Sequence, residues 1–468
     1  MRARWLGAVD ARSAGLVIAL NTIAPLNFNA VTTSLRELAQ AFSATAGEEL
    51  WLADAYMIAI VCVTPLTAFL MRRLGLKRLL ALSLLVIAAT SVCAMLSPSI
   101  FMLIGVMFVM ALGVAPVQPA TQALILDHVP SGQRGIGMAI WGVGSAIGTL
   151  VGSTLGPVLA DVLTWRAMFG PVLIMAAPCL WLVQRFAPAT HLATTPIDWL
   201  GLGAFTLGIL ALGAFVNVGP EMSWFRSPVI IAIFATMVAG LLYFAWHYRR
   251  ARTHAIDLAP LGERNFALAV ITALVVAGLS TGQIEAADLS DVLSVDGYFI
   301  SARGAVGSIA WLIGMIVGGP LIVLLGAWRS VAIGLLTLLV GRYGYTLYGP
   351  GLDFTTVVWT AVVLNIGYGI IGTSLAVLAF QRLPERLAAT APSLYVLGWQ
   401  LGPALGVALL NLQITLGLDA LESIGVGGRD AMIAAYSDAI WLEFAGSLVL
   451  LPILFFFRRG AVRASAAA

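Results

Sequence analysis

The sequence predicts an all-α integral membrane protein of about fourteen membrane-spanning helices, and three observations carry that expectation. Charged residues make up only 10% of the chain, against roughly 25% in an average soluble domain, so no soluble surface can be assembled from them. Hydrophobic residues reach 60% and the mean hydropathy is +0.98. Apolar residues gather into runs of about 20 separated by short polar breaks, which is the length that crosses a hydrocarbon core about 30 Å thick. Such runs would use roughly 280 to 330 residues of the 468, which leaves little for any soluble domain.

Taken in order, the first span is expected near 14–35. The basic start MRARW precedes an apolar segment too long for a signal-peptide core and without a small-residue cleavage site, so it reads as a retained span. The second, third and fourth follow near 50–70, 79–97 and 99–126, with the basic loop MRRLGLKRLL after the second. The fifth, near 135–160, contains GSAIGTLVGSTLGP, whose small residues let helices approach closely in lipid. The sixth, seventh and eighth are expected near 166–186, 198–218 and 227–248, and the basic loop HYRRARTHAIDLAPLGER closes the last of these. The remaining six fall near 264–287, 297–324, 327–347, 354–380, 390–416 and 437–457. Between the ninth and tenth, IEAADLSDVLSVDG places four acids at a helix end and outer loop.

Lys and Arg stay on the cytoplasmic side during insertion, and about 19 of the 25 fall on one side if both termini are inside. An even span number and the long basic loop after the eighth span suggest two halves of six spans with an extra pair between them. The expected division is an N-terminal six-helix lobe over 1–190, a two-helix hairpin and linker over 191–263, and a C-terminal six-helix lobe over 264–468.

Several excluded classes follow. The basic residues are scattered, so no patch tracks phosphates and nucleic acid is not an expected partner. The four histidines and three cysteines lack metal-ligand spacing, no phosphate-binding loop is present, and no nucleophile and base converge, so neither a metal, a cofactor nor an enzyme is expected.

Motifs spread along the chain give a family resemblance. AFLMRRLGLKRLL, with Leu70, Arg73, Gly75 and Lys77 fitting, is similar to the major facilitator superfamily signature between spans two and three, although Ala68 and Arg72 stand where a glycine and an aspartate are usual. WGVGSAIGTLVGSTLGP followed by TWRAMF resembles the antiporter motif of fourteen-span drug:proton antiporters through Gly148, Gly152, Gly156 and Pro157. PIDWLGLG, GWQLGPALGVALL and SDAIWLEF, with Asp198, Gln400, Gly402 and Gly406, look like later segments of the same branch in the same order.

The resemblance implies a major facilitator-type two-lobed helical bundle whose central cavity opens alternately to each side. It implies export of a small lipophilic or amphipathic compound across a cytoplasmic membrane in exchange for protons, with the lipid bilayer as surroundings and, as for some members, a periplasmic adaptor as partner. Arg73, Gly75 and Lys77 would shape the gating loop, and Gly148, Gly152, Gly156 and Pro157 would form a flat, bent helix face on which the halves rock.

Proton coupling requires a titratable group inside the membrane region. The first-span acid and fourth-span arginine usual in this branch are replaced by Ala24 and by Val109, with Leu112 at the following glutamine. The remaining candidates are Asp54, Glu285, Asp288, Asp291 and Glu443. The run of Glu285, Asp288 and Asp291 also reads as an acidic helix cap. Arg303 and Arg342 are the basic residues within spans. Substrate-cavity candidates are Asn27, Asn29, Gln118, Gln122, Trp141, Tyr368, Trp399 and Gln400, all of which also suit interhelical packing or the membrane interface. The departures leave open a differently coupled or uncoupled permease, and beyond it a non-transporting receptor or scaffold on the same fold.

Overall fold

The computed structural model describes residues 11–457 apart from 129–133, 189–197, 220, 221, 223, 252, 253, 255, 280–296, 350, 385, 386, 388, 389 and 424. Nearly all of these are helical and, among the described residues, none lies in a strand. In a hydrocarbon core every backbone N–H and C=O must be satisfied within the protein, and helices do this locally.

The chain runs α1 Ala11–Thr32, α2 Leu35–Phe42, α3 Ala46–Val63, α4 Thr67–Leu74, α5 Leu76–Met95, α6 Ile100–Val114, α7 Val117–His128, α8 Arg134–Val162 and α9 Gly170–Phe186. It continues through α10 Trp199–Val218, α11 Pro228–Arg250, α12 Arg264–Gly278, α13 Gly297–Leu325, α14 Ala327–Tyr345, α15 Phe354–Phe380, α16 Ala391–Ser423, α17 Gly428–Leu448 and α18 Leu450–Phe456. Every span expected from hydropathy overlaps one of these helices or two consecutive ones, the ninth as far as Gly278, with 280–287 outside the described residues.

Twelve stretches are long and apolar enough to cross a membrane. Two further helices occupy expected spans: α12 is apolar but has 15 residues, and α14 has 19 residues and carries Arg329 and Arg342. Fourteen spans are thus compatible with the described helices, while length and apolarity alone establish twelve.

The helices fall into two units. The first contains 1–133, 140–260 and 384–397, and the second contains 134–139, 261–383 and 398–468. In the first unit α3 packs on α6, and α5 lies against both α6 and α9. The α10–α11 hairpin, expected as a separate insertion, belongs to this unit: α10 lies against α3, where Gly213 abuts Ile58. In the second unit α15 is the central helix, flanked by α13 and α14.

Local chemistry fixes the ends. Thr45 and Glu48 form a reciprocal capping box at α3, with the Thr45 backbone N–H donating to Glu48 Oε2 at 2.8 Å and the Glu48 N–H donating to Thr45 Oγ1 at 3.3 Å. The Thr45 backbone N–H, and then its hydroxyl, hold the Glu48 carboxyl below its usual range. Asp353 caps α15 one way only, its side chain accepting from the Thr356 N–H at 3.3 Å, and its carboxyl is lowered chiefly by the Thr356 hydroxyl at 2.5 Å.

The turn between α4 and α5 depends on Gly75, whose φ of 77° is accessible to glycine at little cost. Gly326, with φ 84°, makes the equivalent turn between α13 and α14. Each turn joins the second and third expected spans of its expected half, so the same local device occurs once in each unit.

Candidate functional site

Helix α8 carries glycines at four-residue intervals, and each meets α1 one turn further along. Gly144 lies on Ile18 and Asn21, Gly148 on Thr22, Gly152 on Leu26, and Gly156 on Ala30. A methyl group at Gly148 would fall on the Thr22 carbonyl, so the two backbones touch where a side chain would normally separate them. Thr22 Oγ1 donates across the seam to the Gly144 carbonyl at 3.0 Å, and Asn21 Nδ2 donates to the Trp141 carbonyl at 2.6 Å. Pro157 lies inside α8 near the far end of this seam.

Beside the seam α1, α7 and α8 bring together a polar group. Trp141 Nε1 donates to the Gln118 carbonyl and to Thr121 Oγ1, both at 3.3 Å, and Gln118 Nε2 donates to Ser145 Oγ at 3.3 Å. Asn29 Nδ2 donates to the Pro25 carbonyl at 2.8 Å and to Thr149 Oγ1 at 3.4 Å. Gln122 is fully buried. Asn27 is 1% exposed and neither its amide nitrogen nor its amide oxygen has a hydrogen-bond partner.

The second unit contains the same seam between other helices. Gly398 of α16 meets Val270, Gly402 meets Leu274 and Gly278, and Gly406 meets Gly278, all on α12. Next to it stands an aromatic group: Tyr368 lies 5.5 Å from Trp399 and 6.4 Å from Trp311, ring centre to ring centre, with edge-on geometry at both. Gln400 is half-buried and its amide oxygen has no partner. This unit also holds an ion pair inside the bundle, Arg342 Nη1 donating to Glu443 Oε2 at 2.5 Å with side chains 4% and 9% exposed.

Of the other coupling candidates, Asp54 is half-buried on α3, whereas Glu285, Asp288 and Asp291 lie outside the described residues. In the basic loop Arg73 is exposed, and Lys77 Nζ donates to the Gln184 carbonyl at the end of α9 at 2.6 Å, tying the α4–α5 turn to a neighbouring helix. Asp198 caps α10 through the Gly201 N–H at 2.8 Å and holds His247 Nε2 of α11 at 2.8 Å.

Sequence reading missed Asn21 and Trp311 and did not foresee that Arg342 and Glu443 pair. Asn21, Pro25 and Asn29 recur at four-residue spacing beside the stripe 18, 22, 26 and 30 that meets the glycines, and that spacing was a usable signal for Asn21. Trp311 offered none.

The Major Facilitator Superfamily model matches residues 17–197. An uncharacterized MFS-type transporter, Rv1250 of Mycobacterium tuberculosis, is 26% identical over 423 residues, covering 86% of this chain and 71% of its own length. The multidrug export protein EmrB of Escherichia coli is 25% identical over 373 residues, 78% of this chain and 72% of its own. The crystal structure of the human organic anion transporter MFSD10 superposes with a TM-score of 0.62 at 14% identity, over 93% of this chain and 99% of that one, a likeness of fold. With the family model over residues 17–197 and relatives of the same kind matching most of the chain, the protein carries a Major Facilitator Superfamily domain and is similar along both units to multi-pass membrane transporters.

Proposed function

We propose that the protein exports small lipophilic or amphipathic compounds across a bacterial inner membrane by alternating access, driven by protons, with both termini in the cytoplasm. The similarity to multidrug export proteins over most of the chain supports the direction and cargo class. The observation that carries the cargo reading is the Trp311–Tyr368–Trp399 group beside the unbonded Gln400 amide oxygen. Aromatic faces attract apolar and cationic groups without demanding one shape, and one amide supplies orientation. The two backbone-contact seams supply surfaces that slide or tilt without side chains to disengage. A periplasmic adaptor belongs to the same reading by similarity to the export proteins.

The test is uptake of a fluorescent lipophilic cation into liposomes containing the purified protein. An imposed pH gradient is expected to drive accumulation, and Trp399→Ala is expected to raise the KM about tenfold, the loss of one to two kcal/mol of aromatic contact, with the gradient response kept. Asp54→Asn in the same assay asks whether the second-span acid carries coupling: lost gradient response with binding intact assigns it that role, and unchanged coupling removes it. Movement of the cation that is indifferent to the gradient would replace proton antiport with facilitated diffusion, which the missing first-span acid and fourth-span arginine favour.

A further inference from the structure

We infer that the start of α12 and the end of α15 form a binding site for a phosphate group, carried by Arg264 and Arg382 and separate from the residues assigned to cargo. The ligand is an anionic phospholipid headgroup or a free phosphate, which share the group these side chains recognise.

Arg264 opens α12 and Arg382 follows α15, and the packing of these two helices brings both to one cavity of about 160 Å³ in the second unit. Glu263, Asn265 and Phe266 also line it. Its inner side is closed: Phe266 and Phe380 are buried with ring centres 5.8 Å apart, and Asn265 is 4% exposed. Both arginines are exposed, which places them at its mouth. A pocket for a drug-sized ligand usually has about 300–1,000 Å³, so this one suits a small anion or one headgroup instead of a second cargo molecule.

The charged lining is two arginines against one glutamate. Glu263 and Arg264 are adjacent yet form no ion pair, and Arg264 makes no side-chain hydrogen bond to any described residue. Glu263 is the N-cap residue of α12 and its side chain does not cap the helix. The first turn therefore presents backbone N–H groups without a side-chain cap, and the helix dipole adds positive potential there. Two guanidiniums beside such a helix start suit a tetrahedral oxyanion, which takes planar N–H pairs from arginine and single N–H groups from the backbone. Arg382 also offsets the carbonyl end of α15, whose C-cap is Gln381, so Arg264 is the cation with no other task. A lipid is the favoured source. Ile271 lies two turns along α12 on the face of Arg264 and is 51% exposed, and Leu261 is exposed beside the cavity. In the expected orientation this end meets the cytoplasmic leaflet, whose anionic lipids are drawn to basic residues at span ends. An acyl chain laid along Ile271 would bring its headgroup phosphate to Arg264.

The experiment measures thermal unfolding of the full chain in detergent at fixed ionic strength, with dioctanoyl phosphatidylglycerol, inorganic phosphate or dioctanoylglycerol added. Wild type should be stabilised saturably by phosphatidylglycerol and not by dioctanoylglycerol, which lacks the phosphate. Arg264→Ala and Arg382→Ala should each raise the half-saturating concentration about tenfold, the loss of one charge-assisted contact. Glu263→Gln should lower it about threefold by removing the one like charge, and a variant that binds more tightly than wild type is not a misfolded one. Arg249→Ala, in the last turn of α11, should leave it within about twofold. Saturation by phosphatidylglycerol at a lower concentration than by inorganic phosphate assigns the site to a lipid headgroup, and the reverse order assigns it to a free phosphate. The inference is overturned if neither phosphate ligand gives a saturable shift, if dioctanoylglycerol gives an equal one, or if Arg264→Ala or Glu263→Gln leaves half-saturation unmoved. An equal weakening in Arg249→Ala would also overturn it, because that marks a general attraction to basic residues. No transport is measured, so the outcome is independent of the efflux reading.

Discussion

Gly148→Leu should abolish transport and prevent a stable first unit from forming. A Cβ at this position meets the carbonyl oxygen and carbon of Thr22 and the backbone nitrogen of Leu26. These are backbone atoms in the middle of α1 and cannot rotate away as a flexible side chain would. Accommodating leucine therefore means separating α1 from α8 as rigid bodies, and that separation also opens the contacts at Gly144, Gly152 and Gly156. In lipid there is little hydrophobic drive between helices, so close packing is the attraction being lost. Overpacking alone costs about 1–3 kcal/mol, and the three neighbouring contacts add to it. Thermal unfolding of purified protein, followed by light scattering and intrinsic tryptophan fluorescence, measures the effect. Gly203→Leu is the control, since a Cβ there meets nothing within 4 Å. A wild-type melting temperature and transport rate in Gly148→Leu would show that the α1–α8 seam is not as close as described.

The seam illustrates which parts of this molecule its sequence reveals. Four-residue glycine spacing marks one helix face without reference to any partner, so Gly148, Gly152 and Gly156 were legible, as was the turn at Gly75. Helices were legible because a membrane leaves the chain almost no alternative. Their ends were less so. The last span is expected from near 437, yet α17 starts at Gly428, because the polar residues Arg429, Asp430, Ser437 and Asp438 lower the hydropathy of a window over its first turns. The single expected fourth span is divided between α6 and α7 around Pro116, where helical backbone bonding is interrupted. What a single sequence does not encode locally is which distant residues meet. Arg342 and Glu443 each appear as an isolated charge in an apolar run, and only the packing of α14 on α17 turns two anomalies into one ion pair.

Asn27 and Asn29 lie two residues apart on α1, and replacing each by leucine should change stability in opposite directions. Asn29 donates to the Pro25 carbonyl at 2.8 Å and to Thr149 Oγ1 at 3.4 Å. Its loss forfeits an interhelical bond, worth about 0.6 kcal/mol in membrane helices, and leaves a local acceptor less satisfied. Asn27 is as buried as any core leucine, with both amide atoms unbonded. A buried polar group in that condition costs on the order of 1–3 kcal/mol, and leucine fills nearly the same volume without the penalty. Asn27→Leu should therefore raise the melting temperature while Asn29→Leu lowers it. If the Asn27 amide is kept for the transport path, as its place among the cavity candidates proposes, the stabilised variant should also lose about tenfold in transport of amphipathic probes, the equivalent of one missing hydrogen bond to the cargo. A stabilised Asn27→Leu with undiminished transport would remove Asn27 from the path. A destabilised one would mean that its amide is bonded in the membrane, and that the polar group around Asn21, Gln118 and Trp141 extends one turn further along α1.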